Sequence, residues 1–377
     1  MFRQSLYRLA RLLTYSTAFT LFSFPAPDYS MAIPTGIDVP ELQSEAERGF
    51  VPKEIELAAA YFTGRGVARD EKMAAYWYEK AAMSGDPESE NEIAFLYQTG
   101  VGVAANPARA FHWYQLAAAS GYVKAKVNLG VMYVWGIGVE KNDAMAEQFF
   151  REAVEKGNGT AATYLGDMEY FGIGRHPDKG EAERWYRAGV KLHDPVAAFN
   201  LGSLYSEGKD HRHDLAKAAA LLRTSATDGY VPAMHALALL VVNHPDLAHS
   251  SSEARTLLET ASTAGSWKSS ALLGILERNG DGDPADAEAA CYHFERAVLQ
   301  GGDEARKLLT NDLAMLEAKL GHEHTSAVAA RAGEWYKQHP LVLTFIYKED
   351  ANWRRFPASA SATADDGVHA GRLIPPA

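Results

Sequence analysis

The sequence predicts an all-α solenoid of stacked helix pairs, on three observations. Glycines recur every 36 residues without slippage, an alanine recurs at one position in seven successive units, and a hydrogen-bond acceptor stands four residues before each alanine. A fixed period of this size is the mark of an array in which each unit buries its apolar face only against its neighbours. Steps of 36 from Gly64 reach Gly100, Gly136, Gly172, Gly208, His244 and Gly280. The same steps from Gly66 reach Gly102, Gly138, Gly174, Asp210, Asp246 and Gly282. The alanine column is Ala74, Ala110, Ala146, Ala182, Ala218, Ala254 and Ala290.

The chain opens with Arg3, Arg8 and Arg11, an apolar run over residues 12–24, and then Pro25 and Pro27. That order is the pattern of a secretory signal, assigned to residues 1–32, with Ser30 and Ala32 placed as small residues before a cleavage site. A run of about 13 residues is short for a membrane-spanning helix, which needs roughly 20, so no membrane insertion is expected once the signal is removed. An Arg-rich presequence lacking acids before Asp28, or an uncleaved hydrophobic tail, is the alternative. No cysteine lies near the cut, since Cys291 is the only one in the chain. A disulfide framework and a cysteine-rich zinc site are excluded for the same reason. Export places the protein in the periplasm or outside the cell.

Residues 38–52 read as a half-unit cap, because Gly49 and Ala46 continue the columns backwards. Seven units then fill residues 53–304. Within each, the first helix (A) carries Leu57, Ile93, Leu129, Leu165, Leu201, Leu237 and Leu273, followed by a column that is always Ala or Gly. Such small residues let two helix backbones come close. The second helix (B) starts after Asp70, Asn106, Asn142, Asp178, Asp214, Ser250 or Asp286, side chains that accept from the free amides of a first turn. It should end at the column of Gly85, Gly121, Gly157, His193, Gly229, Gly265 and Gly301, where glycine takes the left-handed conformation. Between them stand the alanine and then Trp77-Tyr78, Trp113-Tyr114, Phe149-Phe150, Trp185-Tyr186, Leu221-Leu222, Leu257-Leu258 and His293-Phe294. Spacings of three and four put alanine and aromatics on one buried face. Ala332, Trp335 and Tyr336 arrive six residues late, so an altered unit over residues 305–350 closes the array, with its first helix lengthened to about 303–320. Residues 357–377, rich in Ala, Ser and Pro, read as a flexible tail.

Leu129-Gly130, Tyr133, Gly136-x-Gly138-Val139, Asn142, Ala146, Phe149-Phe150, Ala153 and Gly157 together resemble a Sel1-like repeat, a relative of the tetratricopeptide repeat. The resemblance implies a right-handed superhelix of antiparallel helix pairs acting as a non-enzymatic scaffold or adaptor. Units five and six depart most from the pattern, with leucines for the Trp-Tyr pair and with Asp210, His244 and Asp246 for glycines, so their loops should differ in shape.

Chemistry is sparse. Ser206-Glu207-Gly208-Lys209 matches Ser-x-x-Lys, but it sits in the glycine column and no Lys-Thr-Gly follows. A cell-envelope hydrolase akin to the Sel1-like β-lactamases is the alternative function, though this chain lacks their cysteine pairs. The Gly-x-Gly loops lack the Lys-Ser/Thr of a phosphate cradle. His211-x-His213-Asp214 and His322-Glu323-His324 lack the spacing that puts two imidazoles on one helix face. Cys291, beside the alanine column, reads as a buried thiol. No catalytic residue, metal or cofactor is expected. A net charge of −11 argues against nucleic acid, whose affinity comes from Lys and Arg.

A protein or peptide partner remains, and the resemblance to tetratricopeptide arrays implies that it lines the concave face. Three first-helix columns fall there. One is Ile55, Asn91, Val127, Thr163, Phe199 and His235; the next is Ala59, Phe95, Val131, Asp167 and Ser203; the third is Phe62, Gln98, Val134, Tyr170 and Ser206. These vary between units and are often apolar, which suits an exposed interaction strip; packing against neighbouring helices is the competing role for Phe62, Phe95 and Tyr170.

Overall fold

Six of the seven B helices begin where their acceptor stands. Asp70, Asn106, Asn142, Asp178, Asp214 and Asp286 all immediately precede a helix and accept backbone amides of its first turn. Each such cap stabilises its helix by about 1 kcal/mol. The A helices use a second set of caps in Asp86, Asn158 and Ser266, and proline in the first turn of others.

The computed structural model describes residues 39–207, 213–280 and 284–339. Among these residues the protein is all-helical, and each helix packs on the next. Helix α1 (Val39–Glu47) precedes the pairs α2 (Val51–Thr63) with α3 (Glu71–Met83) and α4 (Pro87–Thr99) with α5 (Pro107–Ala119). The third and fourth pairs are α6 (Val123–Trp135) with α7 (Asp143–Glu155), and α8 (Gly159–Phe171) with α9 (Lys179–Lys191). Then come α10 (Pro195–Glu207) with α11 (Leu215–Thr227), and α12 (Val231–Asn243) with α13 (Glu253–Thr263). Helix α14 (Trp267–Asn279) pairs with the start of α15 (Ala287–Leu320), and α16 (His322–Gln338) ends the described chain. No described helix is long and apolar enough to cross a membrane.

The repeated columns are the core. Ala74, Ala110, Ala146, Ala182, Ala218 and Ala290 are fully buried, as are Tyr114, Phe150, Tyr186 and Phe294 one turn further on. The column of tiny residues has a more specific role than a close approach of backbones. A Cβ on Gly130 would strike the ring of Phe150, and one on Gly166 would strike Tyr186, so the missing side chain is the space that the partner helix's aromatic fills. Gly138 does something different: it has φ 67° and a Cβ there would run into the carbonyl of Pro107. The second glycine of the loop thereby lets one unit close onto the previous B helix.

Left-handed residues follow the B helices, one position beyond the last helical turn: Gly85, Gly121, Gly157, Gly229 and Gly265 all have positive φ. In unit four the place is taken by His193 at φ 59°, the one non-glycine with positive φ among the described residues. An L-residue pays roughly 1–2 kcal/mol for that conformation, against a smaller entropic cost of glycine, roughly 0.5–1 kcal/mol. His193→Gly is therefore expected to raise the urea midpoint, with a net gain of up to about 1 kcal/mol; a lowered midpoint would contradict this account.

Unit six departs where its glycines are lost. His244, at φ −132°, cannot repeat the turn, and a 3-10 turn over Pro245–Leu247 replaces it. The helix start shifts with it: Ser250, the expected cap, is passed over, and α13 begins two residues late after Ser252 with no side-chain cap. At the end of unit seven, Gly302 (φ 57°, ψ −136°) kinks α15 and releases its second half to run to Leu320. Helix α16 docks on α15 partly through Trp335, whose ring centroid lies 3.6 Å from the Arg296 guanidinium.

The assigned signal (1–32), residue 38 of the half-unit cap, residues 340–350 of the closing unit and the tail (357–377) lie outside the described residues. So do Gly208, Lys209, Asp210, His211 and Gly282 of the loops.

Candidate interaction surface

The three A-helix columns are brought together along the stack, but most of their members face inwards. Val127, Val131 and Val134 are buried in one cluster with Phe150, Tyr164, Leu165 and Met168. Phe62, Asn91, Phe95, Gln98, Thr163, Asp167, Phe199 and His235 are buried as well. The exposure expected for these positions is not found. The reason is that successive A helices touch: Asn128 of unit three donates to Asn91 of unit two at 2.9 Å, and Asn200 of unit five donates to Asp167 of unit four at 3.0 Å. Residues beside the repeated leucine therefore pack on the next A helix.

The buried polar members are held by specific partners. Tyr114 OH donates to Gln98 Oε1 at 3.1 Å, and Thr163 Oγ1 donates to Asp194 Oδ1 at 2.8 Å. Asp194 also accepts the Ala197 amide and so caps α10. Tyr186 OH donates to Asp167 Oδ1 at 2.7 Å. Burial pushes the Asp167 carboxyl up to about 8, with the tyrosine hydrogen bond opposing and the charge of Asp194 adding to the rise. His235 Nδ1 lies 3.1 Å from Ser269 Oγ, and burial holds its imidazole down at about 3. Phe199 packs edge-on to Tyr230 at 5.3 Å.

Tyr170 and Ser203 remain half-buried, with Ile55, Ala59 and Ser206. Trp135 is 39% exposed and Phe171 37%, in equivalent positions of successive units directly before the turn glycines. Phe171 stands edge-on to Tyr170 at 5.0 Å, and Lys179 Nζ lies 5.0 Å over the Tyr170 ring. Nearby Glu207 has its carboxyl raised by burial, with Lys179 lowering it. Trp135 and Phe171 belong to none of the three columns read from the sequence. Their signal was available: the column Thr63, Thr99, Trp135, Phe171, Glu207, Asn243 and Asn279 varies from unit to unit and turns aromatic only in units three and four.

The other sequence candidates have structural partners. Ser206 Oγ donates to the Ser203 carbonyl at 3.0 Å. Asp214 caps α11 and pairs with Lys217 at 2.9 Å. His322 faces Glu317 and His324 faces Glu288, at 2.6 and 3.0 Å. Among the described residues no group of three or more His, Cys, Asp and Glu is placed to hold a metal ion. Cys291 is buried, and burial, followed by the charges of Glu295 and Glu288, pushes its thiol up to about 11.

Comparison with known proteins follows the same units. The family model described as Sel1 repeat matches residues 54–86, 87–122, 123–158, 159–194, 195–230 and 267–302. The unmatched stretch between the last two is unit six, which keeps its helix pair but has lost the turn glycines. Among solved structures, the chain is similar to a Sel1 repeat protein from Oxalobacter formigenes, at 25% identity and a TM-score of 0.52 over 66% of this chain and 96% of that one. It is also similar to a protective antigen present in uropathogenic Escherichia coli strains and displaying an SLR fold, at 23% identity and a TM-score of 0.41, covering 87% of this chain and 76% of that one. No curated protein matches. With the columns, caps and turns in place and the family model covering more than half of the sequence, the chain belongs to the Sel1 repeat family.

Proposed function

We propose that the protein is a non-enzymatic scaffold of the cell envelope, which holds a peptide or partner protein against the A-helix edge of units three to five. The observation that carries this reading is the exposure of Trp135 and Phe171, with Tyr170 edge-on to Phe171 and Lys179 over the Tyr170 ring. Large aromatics left on the surface of a well-packed fold are the usual anchors of binding energy. Membership of a family of helical repeats supports a scaffold role. The envelope location rests on the arginines and apolar run of residues 3–24, and the mass of the mature N-terminus tests it. The hydrolase alternative gains no support, because the Ser206 hydroxyl is engaged by a backbone carbonyl.

Phe95 and Val131 are core residues, so charging them tests folding rather than binding. The informative variant is Trp135→Asp combined with Phe171→Asp. In a crosslinking pull-down from the native envelope fraction it should reduce recovery of the partner by at least about tenfold, the loss of one good anchor. Undiminished recovery refutes this edge as the binding surface.

A further inference from the structure

One pair of positions recurs between the A and B helices of the units, and in units one and three it joins opposite charges. In unit one, Lys80 Nζ lies 2.9 Å from Glu54 Oε1, donates to the Ala46 carbonyl at 2.9 Å, and sits 4.6 Å over the Trp77 ring centroid. In unit three the charges are exchanged, and Lys126 pairs with Glu152 at 2.5 Å. Units four, five and six place Ala162 with Ala188, Ala198 with Thr224, and Met234 with Thr260, leaving no charge to balance. In unit seven the pair is Ser270 and Arg296: no carboxylate stands opposite the guanidinium, whose Nε is buried without a partner, and it donates instead to Oγ of Ser262, at the Ala46 position, at 2.6 Å.

Unit two alone leaves a lone carboxylate at this pair. Its pair is Glu90 and Leu116. Glu90 is only 5% exposed, and its Oε2 is buried with no hydrogen-bond partner, as is Oε2 of Glu54 in unit one, where Oε1 takes the ammonium of Lys80. Burial, then the charge of Asp86, raises its carboxyl. Leu116, where unit one has the ammonium of Lys80, is 37% exposed. The other parts of the unit-one site are kept: Ala82 stands at the Ala46 position and Trp113 at the Trp77 position. A buried carboxylate without a counter-charge is unfavourable unless it is neutralised or paired.

We propose that unit two is a recognition site for a lysine side chain of a basic partner segment, its ammonium completing the triad of Glu90 carboxylate, Ala82 carbonyl and Trp113 ring, and its aliphatic stem lying along Leu116. Unit one shows the occupied form, with Lys80 as a built-in ligand. A basic partner also suits the net charge of −11 and the acids Asp86 and Glu88 beside the site. The site uses neither Trp135 nor Phe171, so its fate is independent of the edge proposed above.

The test measures fluorescence anisotropy of fluorescein-labelled hexalysine titrated with the full chain at low salt. Saturable binding is expected, weakened about tenfold by Glu90→Gln and equally by Leu116→Lys, which supplies the ammonium internally, as expected for one charge-assisted contact. Leu116→Lys should also raise the denaturation midpoint by closing the pair. Glu155→Gln, an exposed carboxylate lost with the same change in net charge, should leave affinity within about twofold. Absence of saturable binding, or equal affinity of Glu90→Gln and Glu155→Gln, overturns the proposal, and Glu90→Gln decides it alone should Leu116→Lys fail to fold.

Discussion

Ala146→Trp is expected to lower the urea midpoint sharply and to broaden the transition. Ala146 is fully buried, and Phe150, one turn away on the same face, fills the space left by Gly130. An indole has no room there without driving α7 away from α6. Overpacking of this kind costs roughly 1–3 kcal/mol and more where the backbone must move, and Trp for Ala is among the largest additions available. The breadth matters as much as the midpoint. In an array each unit is stabilised chiefly by its neighbours, so a weakened interface in unit three lets the two flanks unfold separately. Ala220→Trp, on the exposed side of α11, serves as the control and should change little. Circular dichroism at increasing urea reads both features; an unchanged midpoint and slope for Ala146→Trp would mean that the alanine column does not face the interior.

That column was legible from sequence alone because it follows from local rules that repeat. A cap needs an acceptor at one position, a turn needs glycine at another, and a buried face needs small against large, so Asp70, Gly66, Ala74 and Tyr78 recur on period. What the period cannot contain is the rotation between successive units. Whether Val127 or Phe95 faces a groove or the next A helix depends on that rotation, which is a property of the stack and not of one unit. Their burial, and the contact of Asn91 with Asn128, could therefore be found only in three dimensions. The same holds for Gly130, whose small size says that something comes close but not that it is the ring of Phe150. Local breaks in period were partly legible. His244 announced a changed loop, yet the shift of the helix start from Ser250 to Ser252 came from the 3-10 turn that filled it. Glu90 illustrates the reverse case: its column is readable in the sequence, but only its burial makes the mismatch with Leu116 chemically significant.

Asp167→Asn is expected to abolish a loss of stability that the native protein suffers as pH rises from about 6.5 to 8. The Asp167 carboxyl holds its proton up to about 8 when folded, against 3.8 for a free aspartate. Between those values the folded state keeps a proton that the unfolded chain releases, so each rise in pH favours unfolding. The contribution is fully present below the unfolded value and is lost as pH passes through the folded one, at up to roughly 1 kcal/mol per pH unit. His235 and His293 act in the opposite direction: burial holds them at about 3 and about 4 against 6.5, so their contribution is lost as pH falls below 6.5. Above 6.5 they no longer interfere, which is why the window for Asp167 lies there. An asparagine keeps a carbonyl oxygen to accept from Tyr186 OH and Asn200 Nδ2, so the hydrogen bonds at 2.7 and 3.0 Å have a replacement acceptor while the titration disappears. Urea midpoints of the two proteins should consequently diverge towards pH 8, with the variant the more stable. Parallel pH profiles would show that Asp167 is ionised in the fold, and that the Tyr186 and Asn200 hydrogen bonds suffice to hold a bare carboxylate in the interior.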